Sequence, residues 1–167
     1  TLPQHAIHER HGAHFAPFAG WNMPIRYPLG VKGEHLHTRT HAGLFDVSHM
    51  RNLEVAGADA ADLLGRLCPY LPHEQQSGTA KYTFFLNDQA GILDDLIVTK
   101  LAGDRFLVVA NAANADGDQR HLETHAQGMN VTITAVPRTF VALQGPDAEA
   151  VLRDAGLNVS DLAFMDA

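Results

Sequence analysis

The sequence has a single cysteine, Cys68, among its 167 residues. One thiol excludes a disulfide within the chain and any zinc or iron–sulfur site built on paired cysteines. A reducing compartment, with the cytoplasm as the first choice, is therefore expected. Long apolar runs are also missing, because none approaches the roughly 20 residues that a membrane-spanning helix needs. We accordingly expect no membrane partner.

Basic residues are scarce as well. Lys and Arg number 12 against 19 Asp and Glu, which gives a formal net charge of −7. This balance argues against a nucleic-acid partner, whose phosphates call for a basic surface. The glycine-rich motifs G-x-G-x-x-G and G-x-x-x-x-G-K-[ST] are absent, and so is the G-x-S-x-G of serine hydrolases. Dinucleotide, P-loop and serine-elbow chemistry therefore have no support.

Apolar periodicity and turn residues predict helices and strands in mixed order. Helices are predicted at 3–11, 31–42, 57–68, 114–127 and 146–154, and strands at 44–47, 53–56, 82–86, 92–99, 105–110, 131–136 and 139–143. Residues 20–28 hold two prolines, Pro24 and Pro28, and an irregular loop is predicted there. The expected fold class is α+β, with antiparallel sheets and interspersed helices.

Two subdomains are expected from this order of elements. Residues 1–50 and 137–167 should contribute to the first, which we expect to be incomplete. Residues 51–136 should form the second, around an antiparallel meander of three strands joined by turn sequences.

Two adjacent carboxylates, Asp94 and Asp95, lie inside the otherwise apolar stretch 90–100. Neighbouring side chains on a strand point to opposite faces, so one aspartate can face solvent while the other enters the interior or a pocket. A buried carboxylate costs several kcal/mol unless hydrogen bonds or a cation compensate. The pair is thus a candidate functional site, and the alternative is a turn residue followed by an edge-strand charge.

Two further residues are candidates for ligand contacts. Asn111 ends the third strand of the meander, near Asp95 if those strands pair, and its amide can offer a donor and an acceptor to a heterocycle. Met50 can add a soft apolar contact to a flat ligand. A strand-end turn and ordinary core packing are the respective alternatives. The nearby Asp46, Ser48 and His49 do not by themselves indicate a catalytic triad, which requires proximity in space.

Histidine is abundant, with eleven residues. His37 and His41 are four apart, a spacing that can share a metal on a helix. The series His5, His8, His11 and His14 has a three-residue period, which drifts around a helix of 3.6 residues per turn. No H-E-x-x-H occurs, so surface histidines and no metal site are predicted.

Five segments, in order along the chain, carry a family resemblance. They are Phe18-Ala19-Gly20-Trp21-Asn22-Met23-Pro24, Gly43-Leu44-Phe45-Asp46-Val47-Ser48-His49-Met50, Ala90-Gly91-Ile92-Leu93-Asp94-Asp95-Leu96-Ile97-Val98, Val109-Ala110-Asn111-Ala112-Ala113-Asn114 and Leu143-Gln144-Gly145-Pro146. Together they resemble the T-protein family of the glycine cleavage system, which are tetrahydrofolate-dependent aminomethyltransferases. The motifs span essentially the whole chain.

The resemblance implies a reaction and its participants. The lipoylated H-protein, as partner, delivers an aminomethyl group, and N5 of the co-substrate tetrahydrofolate attacks its methylene carbon. Ammonia leaves, and 5,10-methylenetetrahydrofolate and reduced lipoyl-H-protein result. The implied fold is the folate-binding aminomethyltransferase fold. The implied compartment is the bacterial cytoplasm, or the mitochondrion in a eukaryote.

The resemblance also implies the site residues. Asp95, the second aspartate of the D-D pair, is the implied catalytic group and a folate contact. Met50, Tyr82, Ile97 and Asn111 are the other implied folate contacts. The chain departs from the family pattern by having Arg51 and Ala90 where glycines are common, and Thr99 where some members have tyrosine.

Family members continue past Ala167, and the last residues follow an apolar group without a cap. We therefore expect an N-terminal portion whose missing C-terminal part carries further folate contacts. Such a portion alone is expected to be inactive.

Several alternatives stay open. One is a folate-dependent demethylase, or the folate domain of a sarcosine- or dimethylglycine-type oxidase. Another is a non-catalytic folate-binding module, although the K-G-C-Y-x-G-Q motif of such relatives is absent. The last is a histidine-rich metal-binding domain.

Overall fold

A computed structural model describes all residues from Thr1 to Ala167. The helices are α1 His5–Arg10, α2 Gly30–Thr40, α3 Ala60–Leu67, α4 Ala115–His125 and α5 Ala148–Asp154. The strands are β1 His14–Phe18, β2 Trp21–Arg26, β3 Gly43–Asp46, β4 Arg51–Ala56, β5 Thr79–Leu86, β6 Ile92–Ala102, β7 Arg105–Ala110, β8 Thr132–Ala135 and β9 Val141–Gln144. Every strand pair is antiparallel, so the α+β prediction is confirmed. None of the helices combines the length and hydrophobicity needed to cross a bilayer.

The chain forms two compact units, the first made of Thr1–His49 and Thr139–Leu162. This unit contains two two-stranded ribbons, β1–β2 and β3–β9. Ser48 joins its two chain segments, because the Ser48 Oγ accepts the Phe140 N–H at 2.9 Å. The Val47 N–H also donates to the Phe140 carbonyl at 2.9 Å.

The loop predicted for residues 20–28 is wrong for most of its length, because Trp21–Arg26 is strand β2. Pro24 pairs with Phe15 beside an irregularity in the register. A ribbon of two strands tolerates this proline because each strand has a free edge, where a missing N–H costs no ladder hydrogen bond. The proline pattern alone could not reveal that edge position.

The second unit comprises Met50–Arg138 and Ala163–Ala167. Its sheet has five strands in the order β5-β6-β7-β4-β8. Alternate residues of the strands and the apolar side of α3 form one core, in which each large side chain contributes roughly 1.5–3 kcal/mol. The core residues are Leu53, Val55, Ala60, Ala61, Leu63, Leu64, Leu67, Cys68, Phe85, Leu96, Val98, Phe106, Val108 and Leu122.

The last five residues differ from the predicted subdomain division, which assigned 137–167 to the first subdomain. The Ala80 N–H donates to the Met165 carbonyl at 2.7 Å, and the Ala167 N–H donates to the Gly78 carbonyl at 2.7 Å. Strand β5 is an edge strand, and edge strands offer unpaired backbone groups to any extended segment. The tail therefore belongs with the second unit.

The turn between β5 and β6 contains a non-glycine residue in the left-handed region, Ala90, with φ of 60°. The Asn87 carboxamide holds this turn, since its Oδ1 accepts the N–H groups of Gln89 and Gly91 at 3.0 and 2.8 Å. An alanine pays a steric cost in this region that glycine does not.

Ala90→Gly is expected to raise the free energy of unfolding by about 0.5–1 kcal/mol, because relief of the left-handed strain exceeds the entropy cost of glycine. Urea unfolding of both proteins measures the difference. Ala113→Gly, at an exposed position that is not among the residues with positive φ, is the matched control and should be destabilising. A lower midpoint for Ala90→Gly would contradict the strain argument.

Candidate active site

The register of the second unit's sheet brings three of the predicted site residues onto one face. Tyr82 of β5 pairs with Ile97 of β6, and directly paired residues present their side chains on the same side of a sheet. Asp95 lies two residues before Ile97 and therefore shares its face. The alternate residues Leu96 and Val98 are in the core on the opposite face.

The two remaining predicted residues stand at the ends of the next strands in the sheet. Asn111 directly follows β7 and Met50 directly precedes β4, and the last pair between those strands is Arg51 with Ala110. The pair of Leu96 with Ala110 puts Asn111 beside Asp95. The five predicted residues thus lie on, or directly beside, the four adjacent strands β5, β6, β7 and β4.

The Asp95 carboxylate is held by two neutral donors. The Tyr82 hydroxyl donates to its Oδ2 at 3.0 Å, and the Asn111 Nδ2 donates to its Oδ1 at 3.3 Å. The hydrogen bond to Asp95 raises the pKa of Tyr82, with smaller contributions from burial and from the charges of Asp95 and Asp94. The tyrosine therefore stays a protonated donor at neutral pH, and both contacts orient the carboxylate without neutralising it.

The face beside Asp95 exposes apolar surface. Tyr82 is 54% exposed and Ile97 is 38% exposed, although both are large and lie within strands. Asp95 itself is half-buried. An acidic group flanked by an open aromatic ring and an aliphatic side chain is suited to a flat ligand that carries N–H groups.

Asn111 has fewer hydrogen-bonding groups available for a ligand than the sequence suggested. Its Nδ2 donates to the Asp95 carbonyl at 2.8 Å, to Asp94 Oδ1 at 3.2 Å and to Asp95 Oδ1. These three acceptors define which end of the amide is the nitrogen. The donor end is consumed within the protein, so the Oδ1 acceptor is what remains for a ligand.

The Asp94 side chain points to the helix-covered face of the sheet and not to solvent. It is 7% exposed and pairs with Phe85 of the core face. Of the two aspartates, Asp95 is therefore the one on the open face and Asp94 the one in the interior. The cause is the strict alternation of β6, which assigns Asp94, Leu96 and Val98 to one side.

Asp118, which lies in α4 and is 3% exposed, is not among the site residues predicted from the sequence. Burial raises its pKa to about 7, helped by a side-chain hydrogen bond with Asp94 and by the charges of Asp94 and Asp95. A signal was available, because Ala115, Asp118 and Leu122 are the buried residues of α4 at the i, i+3, i+7 spacing of a helix face. An acidic residue on the apolar side of a helix indicates a buried polar contact.

In the first unit, Asp46, Ser48 and His49 do not form a triad. Asp46 Oδ2 instead contacts His8 Nε2 at 2.8 Å, and Asp46 Oδ1 accepts the Ser48 N–H at 2.9 Å. Burial opposes ionisation of Asp46, but the hydrogen bonds from Ser48 and His8 prevail and lower its pKa. His8 Nδ1 contacts the Tyr27 hydroxyl at 2.7 Å. The contact between Asp46 and Ser48 fixes a turn, and His8 links α1 to β3 and to Tyr27, so these roles are structural.

The histidine pairs form contacts with each other rather than a cage. His37 and His41 stack with ring centroids 4.9 Å apart, and His121 and His125 meet edge to face at 4.5 Å. No group of three or more His, Cys, Asp or Glu side chains is arranged to hold a metal ion.

Fold and site together define an α+β domain with a candidate acid–base residue on an open sheet face. Residues 4–167 match the family model described as GCVT N-terminal domain, and the chain belongs to that family. This membership confirms the resemblance drawn from the five sequence motifs.

Individual relatives agree with the family match. The chain is 40% identical over 153 residues to an aminomethyltransferase of Deinococcus deserti, which covers 90% of this chain and 43% of the relative. It is 39% identical over 170 residues to a mitochondrial aminomethyltransferase of Gallus gallus, which covers 98% of this chain and 43% of the relative.

A solved structure is also similar. The crystal structure of glycine cleavage system aminomethyltransferase T from Bartonella henselae matches with a TM-score of 0.96 and 51% identity, over 99% of this chain and 46% of that one. The chain thus spans less than half the length of the proteins it matches.

Proposed function

We propose that the protein takes part in aminomethyl transfer from the lipoyl arm of H-protein to tetrahydrofolate, with Asp95 as the catalytic residue. The single observation that carries this proposal is the Asp95 carboxylate, held by Tyr82 and Asn111 on an open sheet face. The names of the relatives support the reaction class.

Tetrahydrofolate suits the donor and acceptor groups of this face. A reduced pterin is flat and carries several N–H groups, and the face offers the Asp95 carboxylate and the Asn111 Oδ1 as acceptors. Tyr82, Ile97 and Met50 supply apolar surface for the ring. Thr99, 8% exposed, lies on the same face as Ile97, so its departure from the family pattern falls beside the proposed ring contacts.

The role of Asp95 follows from the charge that develops during the reaction. When an amine nitrogen attacks a methylene carbon, positive charge grows on the nitrogen and a proton must leave. A carboxylate nearby stabilises that charge or accepts the proton. Tyr82 and Asn111 hold the group in one orientation, so little reorganisation is needed when the charge appears.

The partner and compartment follow from the same proposal. The lipoylated H-protein is the donor, and the glycine cleavage name of the similar solved structure supports this choice. Curated relatives come from bacteria and from mitochondria. We propose the bacterial cytoplasm as the compartment, with the mitochondrion as the eukaryotic counterpart.

A donor comparison tests the proposed reaction in the full-length gene product. We expect 5,10-methylenetetrahydrofolate and ammonia to form in equal amounts from aminomethylated H-protein and tetrahydrofolate. Sarcosine and dimethylglycine, supplied in place of the H-protein, should give no product. Turnover with either amine would instead favour the demethylase or oxidase class, and folate binding without any turnover would favour a non-catalytic module.

Residues 1–167 alone are expected to bind tetrahydrofolate weakly and to show little or no transfer. The physical reason is that an open sheet face surrounds a ligand on one side only, whereas small-molecule sites normally bury most of the ligand surface. Isothermal titration of this chain and of the full-length gene product measures the difference. Equal affinities would overturn the expectation.

A further inference from the structure

Asp94 and Asp118 form a buried carboxyl pair behind the candidate site. Asp94 is 7% and Asp118 is 3% exposed, and the Oδ2 atom of each is buried without a partner. Neither residue forms an ion pair. Asp118 forms a side-chain hydrogen bond with Asp94. Two adjacent buried carboxylates without a cation are strongly unfavourable, whereas a proton shared in this hydrogen bond removes the repulsion.

No cationic side chain forms an ion pair with either carboxyl. The Arg51 guanidinium of β4 is engaged by Asp116 and Gln119, each at 2.7 Å. Burial and the nearby His125 lower the pKa of His121, which keeps that imidazole neutral. Asp118 lines a cavity of about 550 Å³, which gives its carboxyl a route for proton exchange. The other titratable groups that line this cavity are Asp116, Arg120, His121 and His125, and Asp95 adds its charge from β6.

The pair is connected to the candidate site through Asn111. The Asp94 Oδ1 accepts from the Asn111 Nδ2 at 3.2 Å, and the same Nδ2 donates to the Asp95 main-chain oxygen at 2.8 Å and to its carboxylate. A hydrogen-bonded path therefore crosses the sheet from Asp118 on the helix side to Asp95 on the open side. Asp94 can hold Asn111 in this orientation as long as it keeps its place beside Asp118.

We propose that Asp118 is a positioning residue for the catalytic carboxylate. Its carboxyl shares a proton with Asp94, the pair fixes the Asn111 amide, and the amide fixes Asp95. The inference rests on the proposed function, because it assigns Asp118 to the same reaction. When Asp118 loses its proton, the two carboxylates repel each other and the orientation of Asn111 is lost.

The direction of the pH effect follows from the raised pKa. Asp118 has a pKa of about 7 in the folded protein against an ordinary 3.8. A raised folded pKa means that the proton-linked stability is fully present below pH 4 and is lost as the pH rises through 7. The proposal therefore predicts that transfer activity declines on the alkaline side of neutrality.

Two substitutions separate positioning from simple packing. Asp118→Asn keeps a donor toward Asp94 and does not titrate, whereas Asp118→Ala removes the donor. In the full-length gene product with aminomethylated H-protein, Asp118→Ala should lower kcat by about 10- to 100-fold, as expected for a displaced catalytic group. Asp118→Asn should lose far less activity than Asp118→Ala and should lack the parent's alkaline decline, because the asparagine cannot ionise. An Asp118→Ala enzyme with the parent kcat and pH profile would overturn the proposal.

A spectroscopic readout does not depend on activity or on the alanine variant being folded. Carboxyl ¹³C NMR of the parent and of Asp118→Asn, both labelled at aspartate, should give one titration near pH 7 in the parent only. If all carboxyls of the parent titrate below about pH 5, the shared proton does not exist.

The variant Asp95→Asn distinguishes failure of this inference from failure of the proposed function. A fully active Asp95→Asn enzyme would reject the proposed function. Loss of activity in Asp95→Asn, together with no effect of the Asp118 substitutions, would reject only this inference.

Discussion

Asp95→Asn is expected to reduce methylene transfer by about 10²- to 10⁴-fold, the range that positioned acid–base groups contribute. The asparagine has the same shape and its Oδ1 can still accept from the Tyr82 hydroxyl, so the fold should be preserved. What disappears is the negative charge that we propose stabilises the attacking amine or accepts its proton. Folate affinity should change only modestly, because the proposed apolar contacts to the ring do not involve the Asp95 carboxylate.

The measurement is formation of 5,10-methylenetetrahydrofolate by the full-length gene product with aminomethylated H-protein. Asp104→Asn is a suitable control, because Asp104 is an exposed aspartate between β6 and β7 whose backbone carbonyl, not its side chain, accepts from Gly57. Asp94→Asn cannot serve as that control, since Asp94 is buried and hydrogen-bonded to Asn111. A rate within a factor of about three of the parent would reject the assigned role of Asp95.

Gly145→Ala is expected to destabilise the first unit by about 3 kcal/mol or more, from backbone strain and overpacking together. Gly145 has a φ of +116°, and a Cβ there would lie 2.2 Å from the His41 carbonyl oxygen and 2.6 Å from that of Thr38. Both neighbours are backbone atoms at the end of α2, so neither can rotate away. The glycine of the L-Q-G-P motif is thus explained by the close approach of two backbone segments.

Chemical unfolding of the parent and two glycine variants separates the contributions to this effect. Gly156 also has a positive φ, +83°, but a Cβ there meets nothing within 4 Å. Gly156→Ala should therefore cost only the conformational part, about 1 kcal/mol. If the two variants are equally destabilised, the close contact at Gly145 contributes nothing and the packing argument fails.

The meander was predictable because its information is local. Turn residues such as Asn87, Gly91 and Gly103 separate β-forming runs, and the predicted strand over 105–110 matches β7. The strand β2 was not predictable, because its proline is tolerated only through its edge position in a ribbon. That position depends on a partner strand, and no local pattern in residues 20–28 encodes it.

The candidate site was only partly predictable, for a similar reason. Alternation indicated that Asp94 and Asp95 face opposite sides, but both alternate sets of β6 contain apolar residues, so the pattern does not say which side is the core. The matching acid, Asp118, lies on α4 and is 24 positions further along the chain than Asp94. Its pairing is a tertiary contact, and the folate roles of Met50, Tyr82, Ile97 and Asn111 stay predictions.

The alternation of side chains along β6 makes its register decisive for the candidate site. Its residues alternate between the core and the site face, so Asp95 is flanked by the core residue Leu96. A slip of one residue against β5 would bury the carboxylate and present a leucine to solvent. The irregularities at Phe85/Leu86 and at Lys100/Ala102 mark both ends of the strand and oppose such a slip. Under the proposed function, transfer activity of the full-length gene product therefore also reports whether β6 is correctly aligned with β5.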